Sequence, residues 1–409
     1  MNAILSAGSR LSAQDSRALQ TDMMFEDCKW DVQCEDHEVL ADFPLILDEN
    51  AFRELGEIAE GLSRELFDAE EELFCQSQLH SFLGMPNRIR CCLKEVNVPP
   101  SKAIARVLRF DFHPTKHGWR ISEVNADVPG GFIEASGYAR RVAHFYSGLD
   151  AFAGVDDHYV EALRKIASEA HRHIAFVYGT LHSDDHQVMQ YLAGMLRRAG
   201  FSTSLLSPQH LRWRDGRAEI ACAYSTGRPS AVVRFYPAEW LSFLGNSEMW
   251  RFYFRGSTTP ISNPAYALLV QSKRFPLVWE ALKTDLPFWQ TYLPKTICPS
   301  EMTSFNGDYW VIKPTLGRVG EDVGIKNCIS RETWNTLIKR ARAHPKDWVA
   351  QERFEALGVS TPVGTVFPCL GVYTIDGKAA GIYGRIATKP LIDQHARDIA
   401  VLCRRSSAR

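Results

Sequence analysis

The chain has 409 residues, of which 45% are hydrophobic and 23% charged, and its formal net charge is −1. This length accommodates two or three domains, and the near-neutral charge gives no electrostatic reason to expect a nucleic-acid or membrane partner. The sequence contains no apolar run long enough for a membrane helix or a secretory signal. Its ten cysteines include no CxxC pair, so we expect reduced, mostly buried thiols and a cytoplasmic location.

The first predicted element is a helix that begins after Asp48. Apolar residues recur at three- and four-residue spacing between Phe52 and Phe67, which is the pattern of an amphipathic helix, and Asp48 is a suitable N-cap. This helix belongs to a mostly helical N-terminal segment that we end at residue 87. Three further segments are predicted, at 88–157, 158–270 and 271–409, and the first of them contains a predicted helix at 133–146.

Residues 109–127 predict a β-hairpin with a polar turn at 113–118. Because side chains alternate faces along a strand, Arg109 shares a face with Asp111, and Glu123 shares a face with Asn125. If Arg109 pairs opposite Glu123, all four side chains point the same way. Two carboxylates and an amide oxygen are ligands that suit Mg²⁺.

The hairpin prediction depends on its register, since a slip of one residue would send the two halves to opposite faces. The alternative is an exposed hairpin with a surface ion pair, because a polar face opposite an apolar one is also the ordinary pattern of an antiparallel sheet. In either case the apolar residues between the polar ones are expected to face the core: Phe110, Phe112, Ile121 and Val124.

Residues 158–270 alternate between helical and strand patterns, which favours a doubly wound α/β unit. The predicted elements are helices at 159–170 and 187–198, the second closed by Gly200, and strands at 174–178, 201–206 and 231–235. Between residues 234 and 255, aromatic residues alternate with arginines. That pattern is compatible with a stacking surface for nucleic acid, but the neutral net charge favours a packed wall beside a substrate pocket.

The last segment contains a candidate phosphate-binding loop. A predicted strand ends at Lys313, and Gly317 and Gly320 form a loop whose backbone N–H groups can approach phosphate oxygens, with Arg318 inside it. Lys273 precedes a predicted helix at 276–283, at the end where the helix dipole disfavours a cation, so an anionic partner is indicated. The alternative for both segments is a solvated surface lysine.

A further predicted strand runs from residue 348 to 354 and leads into a polar hinge. Gln351 and the backbone beyond it are candidates to hydrogen-bond an adenine edge, and Glu352 is a candidate for the ribose hydroxyls.

Together these segments resemble the synthetase part of the glutathionylspermidine synthase family, within the ATP-grasp group of ligases. The resemblance spans roughly residues 88–401, and the hairpin and the Lys-Pro-x-x-Gly-Arg-x-Gly loop are its most specific parts. It implies a mixed α/β fold of the ATP-grasp type, with a doubly wound subdomain and antiparallel sheets around a nucleotide cleft. The metal ligands precede the phosphate lysines, as in a permuted member of that group. Matching residues occur at 109–111, 123–127, 234–237, 239–240, 272–273, 276–277, 279–280, 313–314, 317–318, 320, 351–352 and 381–385.

The resemblance implies ATP and Mg²⁺ as cofactors and a role for each matching residue. The implied roles are Mg²⁺ ligation by Asp111, Glu123 and Asn125; nucleotide binding by Lys273, Lys313, Gly317, Gly320, Gln351 and Glu352; contact with the transferred phosphate by Arg109; and contact with the carboxylate substrate and the acyl phosphate by Arg318 and Arg385. Asp184 and Asp185 align loosely with an acidic pair of the substrate pocket, which suggests a cationic amine. Asp127 and Asp184 are candidates to accept its proton.

The implied reaction joins a small carboxylate, an amino acid or a short peptide, to an amine through an acyl phosphate. Val128, Pro129 and Gly130 replace the small hydroxyl residues that touch the peptide in glutathione-using members, so a different carboxylate is expected. The amidase domain of bifunctional members is also not expected here. Two alternatives remain open: a phosphotransferase or inactive nucleotide-binding protein, and a nucleic-acid-binding module. Homodimer formation is left open.

Overall fold

The computed structural model describes residues 4–34, 37–96, 105–167, 172–302, 308–317, 320 and 322–404. The fold is mixed α/β, as predicted. In chain order its α-helices are α1 (Ala13–Glu26), α2 (Glu49–Cys75), α3 (Asn87–Lys94), α4 (Ala139–Ala143), α5 (Val155–Ile166), α6 (Ser183–Arg198), α7 (Ala238–Leu241), α8 (Arg251–Arg255), α9 (Leu268–Gln271), α10 (Pro287–Tyr292) and α11 (Arg331–Ala343). A π-helical turn covers Glu134–Tyr138, and 3₁₀ turns cover Pro208–His210, Ser247–Met249, Ala265–Ala267, Phe275–Ala281, Pro299–Glu301 and Pro345–Asp347.

The strands are short except in the largest sheet. In chain order they are β1 (Leu5–Ala7), β2 (Gln33–Cys34), β3 (His37–Glu38), β4 (Leu45–Leu47), β5 (Val107–Thr115), β6 (Gly118–Asn125), β7 (Leu149–Ala151), β8 (His173–Tyr178), β9 (Ser202–Leu206), β10 (Leu211–Arg214), β11 (Arg217–Ala221), β12 (Thr226–Gly227), β13 (Ala231–Phe235), β14 (Ile261–Ser262), β15 (Thr296–Ile297), β16 (Trp310–Pro314), β17 (Gly324–Ile325), β18 (Trp348–Glu352), β19 (Val359–Thr361), β20 (Gly364–Ile375), β21 (Lys378–Ala387), β22 (Arg397–Ile399) and β23 (Val401–Arg404).

The largest sheet is antiparallel and has the order β22-β21-β20-β5-β6, with β19 paired to β20. Its apolar face packs on α2, whose buried residues recur at helical spacing. The predicted N-cap is confirmed, since the Asp48 carboxylate accepts a hydrogen bond from the Asn50 N–H at 2.9 Å. The predicted core residues of the hairpin are buried on this face: Phe110, Phe112, Ile121 and Val124.

A second sheet is parallel and has the order β14-β13-β8-β9. Adjacent residues of β8 belong to two different hydrophobic clusters. Phe176 belongs to the cluster that contains residues of α5 and α6, and Val177 to the cluster that contains residues of α8. Helices therefore cover both faces, and the strand order reverses between β8 and β13. This confirms the predicted doubly wound unit.

The third sheet, β15-β18-β16-β17, is antiparallel and packs on α11. The segment between β18 and β19 contacts the hairpin near its tip, where the Leu357 N–H donates to the Pro114 carbonyl at 2.8 Å. The β1-β4-β23-β7 sheet joins strands from both ends of the chain.

The boundaries predicted at residues 87, 157 and 270 stay predictions. Within the described part of the chain, no helix combines the length and the apolar character needed to cross a membrane.

Two predicted helices differ from the structure. The helix predicted at 133–146 is a π-helical turn followed by the short α4, and π turns often mark places where a helix is adapted to a local requirement. Here the turn carries Glu134, whose buried carboxylate contacts the Lys29 ammonium at 2.6 Å. The helix predicted at 276–283 is a 3₁₀ turn at Phe275–Ala281.

A buried ion pair ties the parallel sheet to the end of the hairpin. Asp127 follows β6, Arg234 lies on β13, and neither side chain is exposed. The second Asp127 oxygen accepts from the Ala238 N–H at 3.0 Å, while Arg234 Nη1 donates to the Tyr236 carbonyl at 2.7 Å. Both charges are therefore paired and hydrogen-bonded, as buried charges need to be.

We expect Asp127→Asn to lower the free energy of unfolding by about 3–5 kcal/mol, because it leaves the Arg234 guanidinium buried without a charged partner. The matched control is Lys116→Met. The Lys116–Glu355 pair has side chains 63% and 77% exposed, and such surface pairs contribute about 0–1 kcal/mol. Urea unfolding followed by tryptophan fluorescence measures both. Similar losses in the two variants would contradict a structural role for the buried pair.

Candidate active site

The predicted hairpin is formed by β5 and β6, with a two-residue turn at Lys116 and His117. Asp111 lies directly opposite Glu123, and Arg109 lies opposite Asn125. The pairing of Arg109 with Glu123 that we assumed is therefore wrong by two residues. Because side chains alternate with a period of two, this error leaves all four residues on one face.

A β-bulge makes this arrangement possible. The register shifts between Asp111 and Phe112, so Ser122 is an extra residue in β6. Near the turn Phe112 pairs with Ile121, and continuing that register without the bulge would pair Asp111 with Ser122 and turn Glu123 toward the core. With the bulge, Ile121 faces the core and Glu123 joins Asp111.

Arg109 and Asp111 form a closely fitted group on the polar face of the sheet. Arg109 Nε and Nη2 donate to the two Asp111 carboxylate oxygens at 2.8 and 3.0 Å, and Nη1 donates to the Gly130 carbonyl at 2.8 Å. The Asn125 amide also donates to Asp111, at 3.1 Å. The guanidinium is thus held in place by a bidentate ion pair.

The strand beside β5 leaves room for this guanidinium. Gly371 lies opposite Asp111, and a Cβ built there would come within 2.7 Å of Arg109 Cδ. The Arg109 guanidinium lies 5.2 Å from the ring centroid of Tyr383, and the Tyr373 hydroxyl donates to the Gly130 carbonyl. Sequence reasoning missed these three residues. A glycine within a predicted strand, which often marks a close approach, was the available signal for Gly371.

Lys273 lies in the joint between the end of α9 and the 3₁₀ turn Phe275–Ala281, so it follows one helix as well as preceding a second. Its ammonium contacts a Glu123 carboxylate oxygen at 3.0 Å and donates to the Gly317 carbonyl at 2.8 Å. The anionic partner expected for Lys273 is therefore present within the chain, and Lys273 links the hairpin to the glycine-containing loop.

Lys313 reaches the same place from β16. Its ammonium donates to the Ser122 carbonyl at 2.9 Å and to the Gln351 side-chain oxygen at 2.7 Å, and the residue is only 6% exposed. Among the described residues, no carboxylate lies within ion-pair distance of Lys313. It is a buried cation held by neutral oxygens.

Burial and neighbouring charges set the ionisation of this cluster. Burial lowers the pKa of Lys313 to about 8, and Lys273 acts in the same direction while Glu123 opposes it. Burial disfavours the Glu123 carboxylate, but Lys273 and Lys313 outweigh it and lower its pKa. Burial also lowers the pKa of His113 to about 4. At neutral pH the Glu123 carboxylate is ionised and the His113 imidazole is neutral.

The other predicted nucleotide residues take different positions. Gln351 is buried, and its side chain accepts a hydrogen bond from Lys313 and donates one to Thr296, at 3.3 Å. Glu352 is exposed. Gly320 has φ of +70° and a Cβ there would lie 2.5 Å from the Ile392 carbonyl oxygen, so glycine is required. Arg318 lies outside the described residues.

Arg385 lies on β21, in the same sheet as Arg109. It pairs with Cys369 of β20, and its Nη2 donates to the Asp393 carbonyl at 2.9 Å and the Ala396 carbonyl at 3.3 Å. These contacts hold the guanidinium on the polar face that also carries Asp111.

The three predicted substrate residues lie on two different segments of the chain. Asp127 is buried in its ion pair with Arg234 of β13, which gives it a structural role, and its substrate role stays a prediction. Asp184 and Asp185 lie in the first turn of α6. That turn follows the carboxyl end of β8, on the parallel sheet rather than on the hairpin.

Comparison with known proteins identifies the family. Residues 28–402 match the family described as glutathionylspermidine synthase preATP-grasp. This chain belongs to that family. The resemblance found in the hairpin and the glycine-containing loop is thereby confirmed.

Two individual relatives support the comparison. A Haemophilus influenzae protein with the provisional name acid–amine ligase is 22% identical over 288 residues, which cover 67% of this chain and 68% of that protein. The apo structure of a glutathione synthetase-like effector from Globodera pallida superposes with a TM-score of 0.60 at 14% identity, covering 88% of this chain and 89% of that one. At that identity the likeness shows a shared fold, which confirms the predicted fold class.

We expect Gly371→Ala to lower the free energy of unfolding by about 1–3 kcal/mol, the usual cost of overpacking, and to displace Arg109 from Asp111. The control is Gly245→Ala, where a Cβ would meet no described atom within 4 Å, so a change within about 0.5 kcal/mol is expected. Urea unfolding gives the energies, and a crystal structure of the variant gives the position of Arg109. An unmoved guanidinium would show that the glycine is not needed there.

Proposed function

We propose that this family member is an ATP-dependent acid–amine ligase that activates a carboxylate as an acyl phosphate and forms an amide with release of ADP and phosphate. The provisional name of the Haemophilus influenzae relative supports the ligase class. The observation that carries the proposal is the meeting of Asp111, Glu123, Lys273 and Lys313, which come from three distant parts of the chain. Bringing two anions together requires this kind of charge neutralisation.

The donor set on the hairpin fits Mg²⁺. Within the described ranges, no group of three or more His, Cys, Asp or Glu side chains is arranged to hold a metal ion. Two opposed carboxylates and an amide oxygen instead suit an ion that takes its remaining ligands from phosphates and water. We propose Asp111, Glu123 and Asn125 as its ligands, where the ion would neutralise phosphate charge.

The remaining residues act as positioned cations in this proposal. Lys313 is buried and has no carboxylate partner among the described residues, so an anionic phosphate would complete its surroundings. Lys273 is placed to hold a second phosphate, and Arg109 to face the transferred one. Arg385 is proposed to hold the carboxylate substrate, and the same role for Arg318 rests on the family resemblance.

The proposed nucleotide site has little free space, since the cavity lined by Ser122, Lys273 and Gln351 is about 20 Å³, room for about one water molecule. We propose that the Lys273 contacts to Glu123 and Gly317 open when the nucleotide enters. The loop from Thr315 to Asp322, which carries Gly317 and Gly320, is the proposed lid that excludes water from the acyl phosphate.

The proposed substrates are a small carboxylate, an amino acid or short peptide, and a cationic amine. Asp184 and Asp185 lie near the switch point of the parallel sheet, the place where doubly wound folds bind ligands. The neighbouring His182 packs on Trp240, with ring centroids 5.5 Å apart. Val128, Pro129 and Gly130 support a carboxylate other than glutathione, because they lack hydroxyl groups.

Three buried rings of the aromatic segment count against the nucleic-acid alternative, although Phe243 in the same segment is exposed. Trp250, Tyr253 and Phe254 are buried, and the tyrosine and phenylalanine belong to the core that covers the parallel sheet. These rings are therefore not available to stack on bases. An ATP-dependent phosphotransferase would leave a stable phosphorylated product without an amine.

The test of the proposed function is an ADP-release screen of carboxylates against amines, with the product mass read directly. Asp111→Asn and Glu123→Gln should each lower ADP release by about 10³-fold or more, the scale of losing charge stabilisation in phosphoryl transfer. Glu355→Gln, on an exposed side chain, is the control and should keep full activity. Near-normal release by either hairpin variant would refute the metal assignment, and a phosphorylated carboxylate as final product would favour the phosphotransferase.

Lys313→Met should weaken ATP binding by about 10- to 100-fold, since a hydrogen bond to a charged group contributes about 1.5–3 kcal/mol. Lys326→Met is the matched control, because Lys326 pairs with Asp308 at the surface, at 3.3 Å. Equilibrium titration with a fluorescent ATP analogue measures both. Equal affinities for the two variants would remove Lys313 from the phosphate site.

A further inference from the structure

Both proposed metal-ligand carboxylates already have a cationic partner from the chain. Asp111 offers both its oxygens to Arg109, and Glu123 pairs with Lys273. The four side chains are largely buried, with exposures of 14% and 12% for the first pair and 11% and 27% for the second. Water therefore screens these charges poorly, and each carboxylate depends on its cationic partner for electrostatic stabilisation.

The charges in the cluster nearly balance. Arg109, Lys273 and Lys313 contribute three positive charges, and Asp111 and Glu123 two negative ones. A divalent cation that bound the two carboxylates without any nucleotide present would leave Arg109 and Lys273 unpaired beside it. Phosphate groups that bound Arg109 and Lys273 without any metal present would leave the two carboxylates unpaired. Either single ligand therefore creates a buried excess of one sign, which is costly.

We propose that the site binds the divalent cation and the nucleotide as a mutually dependent pair, because Arg109 and Lys273 occupy the metal-ligand carboxylates until phosphates take them over. This inference rests on the proposed function. With both ligands present, Asp111 and Glu123 would hold the metal, and Arg109 and Lys273 would hold phosphates. Each charge would then keep an opposite partner.

The exchange also reaches the glycine-containing loop. The Lys273 ammonium holds the Gly317 carbonyl as well as Glu123. Moving Lys273 to a phosphate releases both contacts together. The coupling between the two ligands is thus linked to release of the Gly317 carbonyl.

The test is a titration with Mn²⁺ followed by electron paramagnetic resonance, with and without a non-hydrolysable ATP analogue, after correction for the complex that they form in solution. For the wild-type chain the analogue should raise Mn²⁺ affinity by about 5- to 150-fold, the usual range of coupling between sites, and Mn²⁺ should raise analogue affinity by the same factor. Equal Mn²⁺ affinity in both titrations would overturn the inference, and the ADP-release screen tests the proposed ligase activity separately.

Lys273→Met provides a gain of binding that a merely structural lysine would not produce. With Glu123 released, Mn²⁺ alone should bind at least about 5-fold more tightly, and the coupling factor should shrink. Lys326→Met, at the surface, should behave like the wild type in both titrations, and Lys273→Arg, which keeps the cation, should not show the gain in Mn²⁺ affinity. Unchanged Mn²⁺ affinity in a folded Lys273→Met variant would overturn the inference. If Mn²⁺ does not bind even with the analogue, the proposed function fails as well.

Discussion

The candidate site depends on one extra residue in strand β6. Ile121 and Val124 both have to face the core that α2 covers, but they are three positions apart and a regular strand would turn them to opposite faces. The bulge at Ser122 resolves this conflict and brings Glu123 beside Asp111. It also leaves the Ser122 carbonyl in contact with the Lys313 ammonium, at 2.9 Å. Burial of apolar side chains on one face of the strand thus determines the positions of the polar groups on the other face.

The polar face is stabilised by matching its charges in pairs. Arg109 is held by Asp111, by the Gly130 carbonyl and beside the ring of Tyr383. This is the arrangement that a charge removed from water needs, since an unpaired one would be far less stable. Lys313 differs because its partners are neutral, and burial lowers its pKa to about 8. An anion would stabilise that ammonium, and this difference separates Lys313 from the other two cations.

Much of the fold could be predicted from short stretches of the sequence. The α2 helix, its Asp48 cap and the doubly wound order of the parallel sheet follow from periodicity and end signals, which are local properties. The identity of the four polar hairpin residues followed from simple alternation. The bulge also had a local signal, because two core-facing residues three positions apart in one strand require an extra residue between them. We did not use it, and the predicted register was wrong by two residues.

By itself, the sequence determined which residue types alternate along each strand and where the main helices begin, because these depend on neighbours within a few positions. Only the tertiary structure decided which charges pair. Lys273 meets Glu123, Lys313 meets Gln351, and Asp127 meets Arg234. The last contact joins residues 107 positions apart. Such contacts are set by how the sheets pack on their shared core, and no local pattern encodes that packing.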